Sequence, residues 1–237
     1  MKPLISCVLV TRDRPGFFRQ ALRCFSAQDH PNKELVVVDD GETPVASMCE
    51  GVAGVTYLRL TNRTPTGSKL NLGIDAARGD ILQKLDDDDY YGPKFLSTAA
   101  ARLGRARRPD ALVCWCCFAV LIKGDPRLYF SGHGWKTGGT LCFHRALWRR
   151  HQFRDLYSSS DSWFIRDNDP AIVRVCGATD QYMIVRHGAN TWTRIVGHES
   201  IESYFRLHPY TRTLRRLVGR ANAAFYQALA AGAPTVA

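Results

Sequence analysis

The chain has 237 residues, 45% of them hydrophobic, 23% charged and 11% aromatic. That is enough for a large core in one domain or two small ones, and it excludes a disordered or fibrous chain. The net charge is +10 but one-sided: residues 1–99 carry 12 Lys+Arg against 13 Asp+Glu, and residues 100–237 carry 20 against 9. The longest apolar run, Ala111 to Ile122, is too short to cross a bilayer. Met1-Lys2-Pro3 leads directly into a strand-like run with no leader pattern, so the expectation is a cytoplasmic chain whose membrane contact is at most peripheral. In that compartment the eight cysteines stay reduced. Cys114, Cys116 and Cys117 read as small buried strand residues rather than as a metal cluster.

Taken in chain order, the first part alternates strand and helix. Leu4–Val10 is a short apolar run fit for a strand buried on both faces, and Arg14-Pro15-Gly16 breaks it. Phe17–Ala27 has helical spacing. Glu34–Val38 is a second strand ending at Asp39-Asp40-Gly41, and Val55–Leu60 a third. Ser68–Ala77 reads as a helix closed by Arg78-Gly79, Asp80–Leu85 as a fourth strand running into four aspartates, and Pro93–Leu103 as a helix. This order predicts an α/β fold with an open, mostly parallel sheet and helices on both faces. Ligands of such sheets bind beyond the carboxyl ends of the strands, where both acidic clusters fall.

The second part is less regular. Ala111–Ile122 reads as a strand or a pair of strands, Gly132–Gly139 as a glycine-rich loop, Thr140–Phe143 as a strand and His144–Gln152 as a helix. Ser158–Asp161 opens a helix, Gln181–Arg186 is a strand ending at His187-Gly188, and residues 199–231 are mainly helical with Pro209 as an interruption. The expected organisation is residues 1–198 as one domain, divided into halves 1–99 and 100–198, and 199–237 as a helical C-terminal extension.

Four successive aspartates repel one another and raise one another's pKa. A divalent cation resolves that repulsion, and an oxygen-rich site suits Mg²⁺ or Mn²⁺. A solvated acidic turn is the plain alternative.

The motifs Ile5-Ser6-Cys7-Val8-Leu9-Val10-Thr11, Glu34–Gly41, Gly67-Ser68-Lys69-Leu70-Asn71-Leu72-Gly73, Ala77-Arg78-Gly79-Asp80-Ile81 and Leu85–Pro93 resemble, in order and spacing, a family 2 glycosyltransferase of the GT-A fold. The match is specific over residues 4–97 and looser to about 198. The resemblance implies metal-dependent, inverting sugar transfer from a nucleotide diphosphate sugar, with uridine preferred. Residue by residue, it implies that Asp39 binds the base, that Thr11 and Lys69 lie along the nucleotide, and that Asp87 holds the ribose or donor sugar. Asp86 and Asp88 form the Asp-x-Asp metal motif. Leu70 departs from the Arg common at its place. The attacking hydroxyl needs a general base. Asp161, in Ser160-Asp161-Ser162-Trp163-Phe164, matches the family position, although Ser160 stands where Glu is frequent; Asp155, Asp167, Asp169 and Asp180 are the alternatives. His187, in His187-Gly188-Ala189-Asn190-Thr191, is the expected third metal ligand, with His198 as its rival. Trp135, Gly138, Gly139 and Trp163 are candidates for the acceptor cleft, with core packing as the alternative for each Trp.

Three arginine runs, Arg102/105/107/108, Arg145/149/150/154 and Arg212/215/216/220, suggest a basic acceptor side that meets an anionic partner. A glycan or lipid-linked saccharide is the expected acceptor. Two other readings are DNA with a hydroxymethylated base, as for phage enzymes, and a non-catalytic nucleotide-sugar-binding module, which the intact acidic cluster disfavours.

Overall fold

A computed structural model of the chain describes residues 2–132, 134–191 and 200–233. Strands β1 (Ile5–Thr11), β2 (Lys33–Asp39), β3 (Val55–Arg59) and β4 (Ile81–Asp86) are joined by helices α1 (Pro15–Ser26), α2 (Ala46–Cys49) and α3 (Thr66–Ala76). After the short β5 (Tyr90–Tyr91) and α4 (Phe95–Ala106) come β6 (Ala111–Trp115), β7 (Phe118–Ile122), β8 (Leu128–Ser131) and β9 (Cys142–His144). The chain continues through α5 (Arg145–Arg150), α6 (Ser160–Asn168), β10 (Ala171–Val175), β11 (Tyr182–Arg186), α7 (Ile201–Phe205), β12 (His208–Pro209) and α8 (Leu214–Ala230).

The main sheet has the order β10-β6-β9-β4-β1-β2-β3, and β9 alone runs antiparallel to its neighbours. Its central strands are buried and largely apolar because both faces are covered, and the pleat sends alternate residues to opposite sides. Ile5, Cys7, Leu9, Leu35 and Val37 join a core with α1, α4 and α8, whereas Val8, Val36 and Val38 join one with Leu70 and Ile74 of α3, Leu147 of α5 and Phe164 of α6. A second sheet, β12-β8-β7-β11-β5, packs beside the first. The apolar run 111–122 is therefore two strands, one in each sheet.

The reduced-cysteine expectation is corrected at one pair. Trp115 and Val175 are partners in the parallel β6–β10 ladder, so the next residues, Cys116 and Cys176, stand side by side with Cα atoms 5.4 Å apart and form a disulfide. The other six cysteines are free and buried. The C-terminal helices pack on the rest of the chain. Leu217, Val218, Ala223, Tyr226 and Leu229 of α8 are buried in the larger core, and Asn222 accepts a hydrogen bond from Gln20 of α1 at 2.7 Å. Among the described residues no helix is long and apolar enough to cross a membrane.

Candidate active site

The last residues of β1, β2 and β4 are Thr11, Asp39 and Asp86, and the ladder sets Thr11 opposite Asp39 and Val10 opposite Asp86. Two acidic segments far apart in sequence thus share one edge of the sheet. Asp39 is fully buried: its carboxylate accepts hydrogen bonds from the Gly41 and Val45 amides (2.8 and 3.0 Å) and from the Tyr57 hydroxyl (2.8 Å). That bond and burial together push the Tyr57 hydroxyl well up from its ordinary value. Asp40 accepts from Lys69 Nζ at 2.6 Å, and Lys69 also reaches the Thr11 carbonyl at 3.3 Å. The Thr11 hydroxyl donates to Asp87 at 2.7 Å.

Each member of the four-aspartate turn has a different environment. Asp86 accepts from Lys84 Nζ at 2.5 Å, and its amide donates to the Tyr91 hydroxyl, which donates in turn to the Gly139 carbonyl. Asp87 lies 3.3 Å from Arg14, yet burial pushes its carboxyl up to about 6. Asp88 Oδ2 gathers Arg14 Nη1 at 2.5 Å, His187 Nε2 at 3.0 Å and Asn190 Nδ2 at 3.1 Å. Burial pushes Asp88 up, but the His187 hydrogen bond and the Arg14 charge outweigh it and hold the carboxyl below its ordinary value. Asp89 turns inward to the Tyr182 hydroxyl (2.6 Å) and the Val185 amide (3.0 Å); burial and its acidic neighbours push it well up.

His187 directly follows β11, and its side chain is almost fully buried. Its ring packs on Phe17 of α1 (4.2 Å between centroids), which meets Phe225 of α8 edge-on at 5.8 Å. The C-terminal helix therefore backs the histidine. The structure brings Asp88 and His187 into hydrogen-bond contact. It does not gather Asp86 with both of them: among the described residues the only three potential ligand groups with donor atoms within 4.8 Å of one another are Cys116, Cys117 and Cys176. His198 lies outside the described residues.

Asp161, in the first turn of α6, packs against the loop that precedes β9. A methyl group added at Gly138 would lie 1.4 Å from Asp161 Oδ2, and one added at Gly139 would lie 2.6 Å from Asp86 Oδ2. These two glycines let the loop backbone pass between both carboxylates. The charge of Asp161 bears on Lys84 and Asp86. The other candidate bases are engaged elsewhere: Asp155 accepts from Ser68, Asp167 pairs with Arg154 at 2.7 Å, Asp180 lies 3.6 Å from Arg212, and Asp169 closes α6 in left-handed backbone. Of the two tryptophans, Trp135 donates to Ser131 and stacks on Tyr204 of α7, 5.0 Å away. Trp163 lies between the guanidinium groups of Arg154 and Arg166 (3.8 and 4.7 Å).

Sequence reasoning missed Arg14, taken only as a strand breaker, and Lys84. A lysine in an apolar strand two residues before the acidic turn was the available signal, since a buried lysine requires a partner. The arginine runs do not all share one side of the sheet. Arg107, Arg108, Arg145 and Arg149 line a cleft with Asp80, at the start of β4, and so lie at the opposite end of the sheet from Asp86.

Residues 6–163 match the family model described as glycosyl transferase family 2. The chain belongs to that family. It is 28% identical over 131 residues to an uncharacterized glycosyltransferase of Rickettsia typhi, covering 54% of this chain and 40% of the relative. It is 28% identical over 139 residues to the GalNAc(5)-diNAcBac-PP-undecaprenol beta-1,3-glucosyltransferase of Campylobacter jejuni, covering 56% of this chain and 43% of that protein. The chain thus spans about two fifths of the length of these relatives. Residues 1–349 of S. aureus TarS, solved with UDP-GlcNAc, superpose with a TM-score of 0.61 at 20% identity, over 83% of this chain and 62% of that one. The likeness carries the fold, a parallel-rich GT-A sheet flanked by helices.

Proposed function

We propose that this chain is a metal-dependent, inverting glycosyltransferase that moves a sugar from a nucleotide diphosphate sugar, UDP-linked by preference, to an acceptor hydroxyl in the cytoplasm. The observation that carries the reading is the convergence of Thr11, Asp39, Asp87, Asp88 and His187 at the carboxyl edge of β1, β2 and β4 in a chain of this family. The nucleotide preference is supported by TarS, solved with UDP-GlcNAc.

Metal dependence is common in the family. Two carboxylates and an imidazole make a donor set suited to Mn²⁺ or Mg²⁺, and the three donors crowded on Asp88 Oδ2 mark a carboxylate oxygen that attracts positive charge. Asp86, Asp88 and His187 would hold the ion, which when bound stabilises charge on the diphosphate leaving group. Thr11, Asp39, Lys69 and Asp87 would orient the nucleotide and donor sugar. Asp161 accepts the proton of the attacking hydroxyl, on the side of the cluster bounded by Gly138 and Gly139. Trp163, on the helix that carries Asp161, and Trp135, on the strand-end loop leading to Gly138, would flank the acceptor.

A glycan or lipid-linked saccharide is the acceptor we favour, supported by the undecaprenol-linked substrate in the name of the Campylobacter jejuni relative. The test is release of nucleotide diphosphate from a panel of donors with Mn²⁺, using undecaprenol-linked saccharides, free glycans and hydroxymethylcytosine DNA as acceptors. Release stimulated by the saccharides supports the reading. Release stimulated by DNA alone replaces the acceptor, and nucleotide binding without release from any donor reduces the chain to a binding module.

A further inference from the structure

We infer that the chain has a second binding site, for a phosphate-bearing anion, at the end of the sheet remote from the acidic cluster. The cleft there has a volume of about 570 Å³ and lies between the C-terminus of α4 and helix α5. It begins where Ile81 pairs with His144, and β4 runs from there to Asp86, about 17 Å at the usual rise of a strand. Four arginines, Arg107, Arg108, Arg145 and Arg149, are among its lining residues with His144, against one acid, Asp80. These arginines come from two runs separated by more than thirty residues in sequence. The fold, not local composition, brings them together.

The four are not equivalent. Arg108 is paired with Asp110 at 2.9 Å. Arg145 is buried, and its guanidinium donates to the carbonyls of Ile74 (2.6 Å), Ala77 (2.6 Å) and Gly79 (2.9 Å) at the C-terminal end of α3. Those carbonyls suit a cation, because the helix dipole is negative there, but they carry only partial charges. No carboxylate pairs with Arg145 among the described residues, so a buried full charge stands beside the cleft without a counterion. Arg107 caps α4 in left-handed backbone (φ 50°), and Arg149 lies on the outer turn of α5. Both are exposed and have no ion-pair partner among the described residues. A buried cation beside two exposed arginines that have no ion pair among the described residues suits the oxygens of a phosphate or diphosphate. The volume suits a small phosphate ester or a phospholipid headgroup. This site is independent of the reaction proposed above.

The test uses the full chain, without divalent metal, at about 0.15 M salt. Pyrophosphate is titrated calorimetrically into the wild type and into Arg107→Glu/Arg149→Glu. The expected result is one saturable site weakened at least about tenfold by the double charge reversal, with UDP affinity unchanged and with Arg107→Lys/Arg149→Lys retaining most of the binding. Co-sedimentation with phosphatidic acid vesicles, but not with phosphatidylcholine vesicles, that is lost in the Glu variant identifies a lipid headgroup as the source. Pyrophosphate binding without co-sedimentation identifies a soluble ester. Arg149→Glu alone repeats the measurement should the double variant not fold. Absence of saturable binding in both arms, or binding equally strong in the charge-reversed chain, overturns the inference.

Discussion

Replacing Lys84 by Met isolates the electrostatic cost of the acidic turn. Lys84 is 7% exposed, and its ammonium lies 2.5 Å from Asp86 Oδ1; burial works against its charge, but Asp86 and Asp161 outweigh that and raise its pKa. Methionine keeps most of the stem packing and removes only the charge. Breaking a buried pair from one side costs about 3–5 kcal/mol. Asp86 is one third open to water, and solvent screening brings the expected loss to about 2–3 kcal/mol. For a chain of this size that is a fall of about 5–10 °C in Tm. The sign with pH follows from the orphaned carboxylate. Asp86 already titrates above its ordinary value through burial and Asp88, and loss of Lys84 raises it further. A carboxyl whose folded pKa is raised contributes stability that is present below its unfolded pKa and lost as pH rises through the folded value. The deficit is therefore largest near pH 8 and shrinks toward pH 5. Urea unfolding of both chains at the two pH values, in metal-free buffer, measures it. A deficit that does not change with pH, or one under about 0.5 kcal/mol, refutes the reasoning.

The same linkage predicts that the wild type without metal loses about 3 kcal/mol as pH rises from about 4 to about 7, because burial lifts the Asp87 carboxyl to about 6. A flat profile of unfolding midpoints would contradict it. Asp161→Asn is expected to keep UDP affinity and slow transfer at least about a hundredfold; normal turnover moves the base elsewhere. Asp88→Asn should abolish calorimetrically detected Mn²⁺ binding, and retained binding removes Asp88 from the ligand set. Gly138→Ala forces Asp161 Oδ2 aside from a contact that would be 1.4 Å. Asp161 Cγ would also lie only 2.4 Å away, so the whole carboxylate must swing aside; Tm should hold while transfer falls about tenfold or more, and unchanged transfer disconnects this loop from the chemistry.

The first half of the fold was legible because β1, β2 and β4 are buried on both faces and α1 and α4 are amphipathic. The expected strands at 4–10, 34–38, 55–60 and 80–85 fall within a residue or so of β1 to β4. The second half was less legible for physical reasons. The strand β10 is short and half-exposed, β5 and β12 have two residues each, and none has the length to display a period. The junction at Cys116-Cys117 has no Gly or Pro to mark it, so the change of sheet inside 111–122 left no signal. At the site, aspartates announce themselves by number, and motif context singled out His187 and Asp161. Their cationic partners do not cluster: Arg14 follows β1, Lys69 is on α3 and Lys84 is in β4, and only folding brings them to the acids.

That distribution of cations bears on how the site takes up its ligand. Asp39 accepts from two amides and a hydroxyl, and Asp89, pushed well up by burial and its acidic neighbours, accepts from the Tyr182 hydroxyl and the Val185 amide. In the ion pairs of the described residues, Asp40 takes Lys69, Asp86 takes Lys84, and Asp87 and Asp88 share Arg14. Because Arg14 lies closer to Asp88, and His187 adds to the Asp88 side, Asp87 is left with only a shared cation. This agrees with its raised carboxyl. Asp87 is thus under-compensated, in a pocket where desolvation makes such a charge costly. A proton can supply the missing charge in acid, and a divalent ion can do so at neutral pH. The two then compete for the same oxygens, so affinity for a divalent ion rises with pH over the range in which the metal-free protein loses stability.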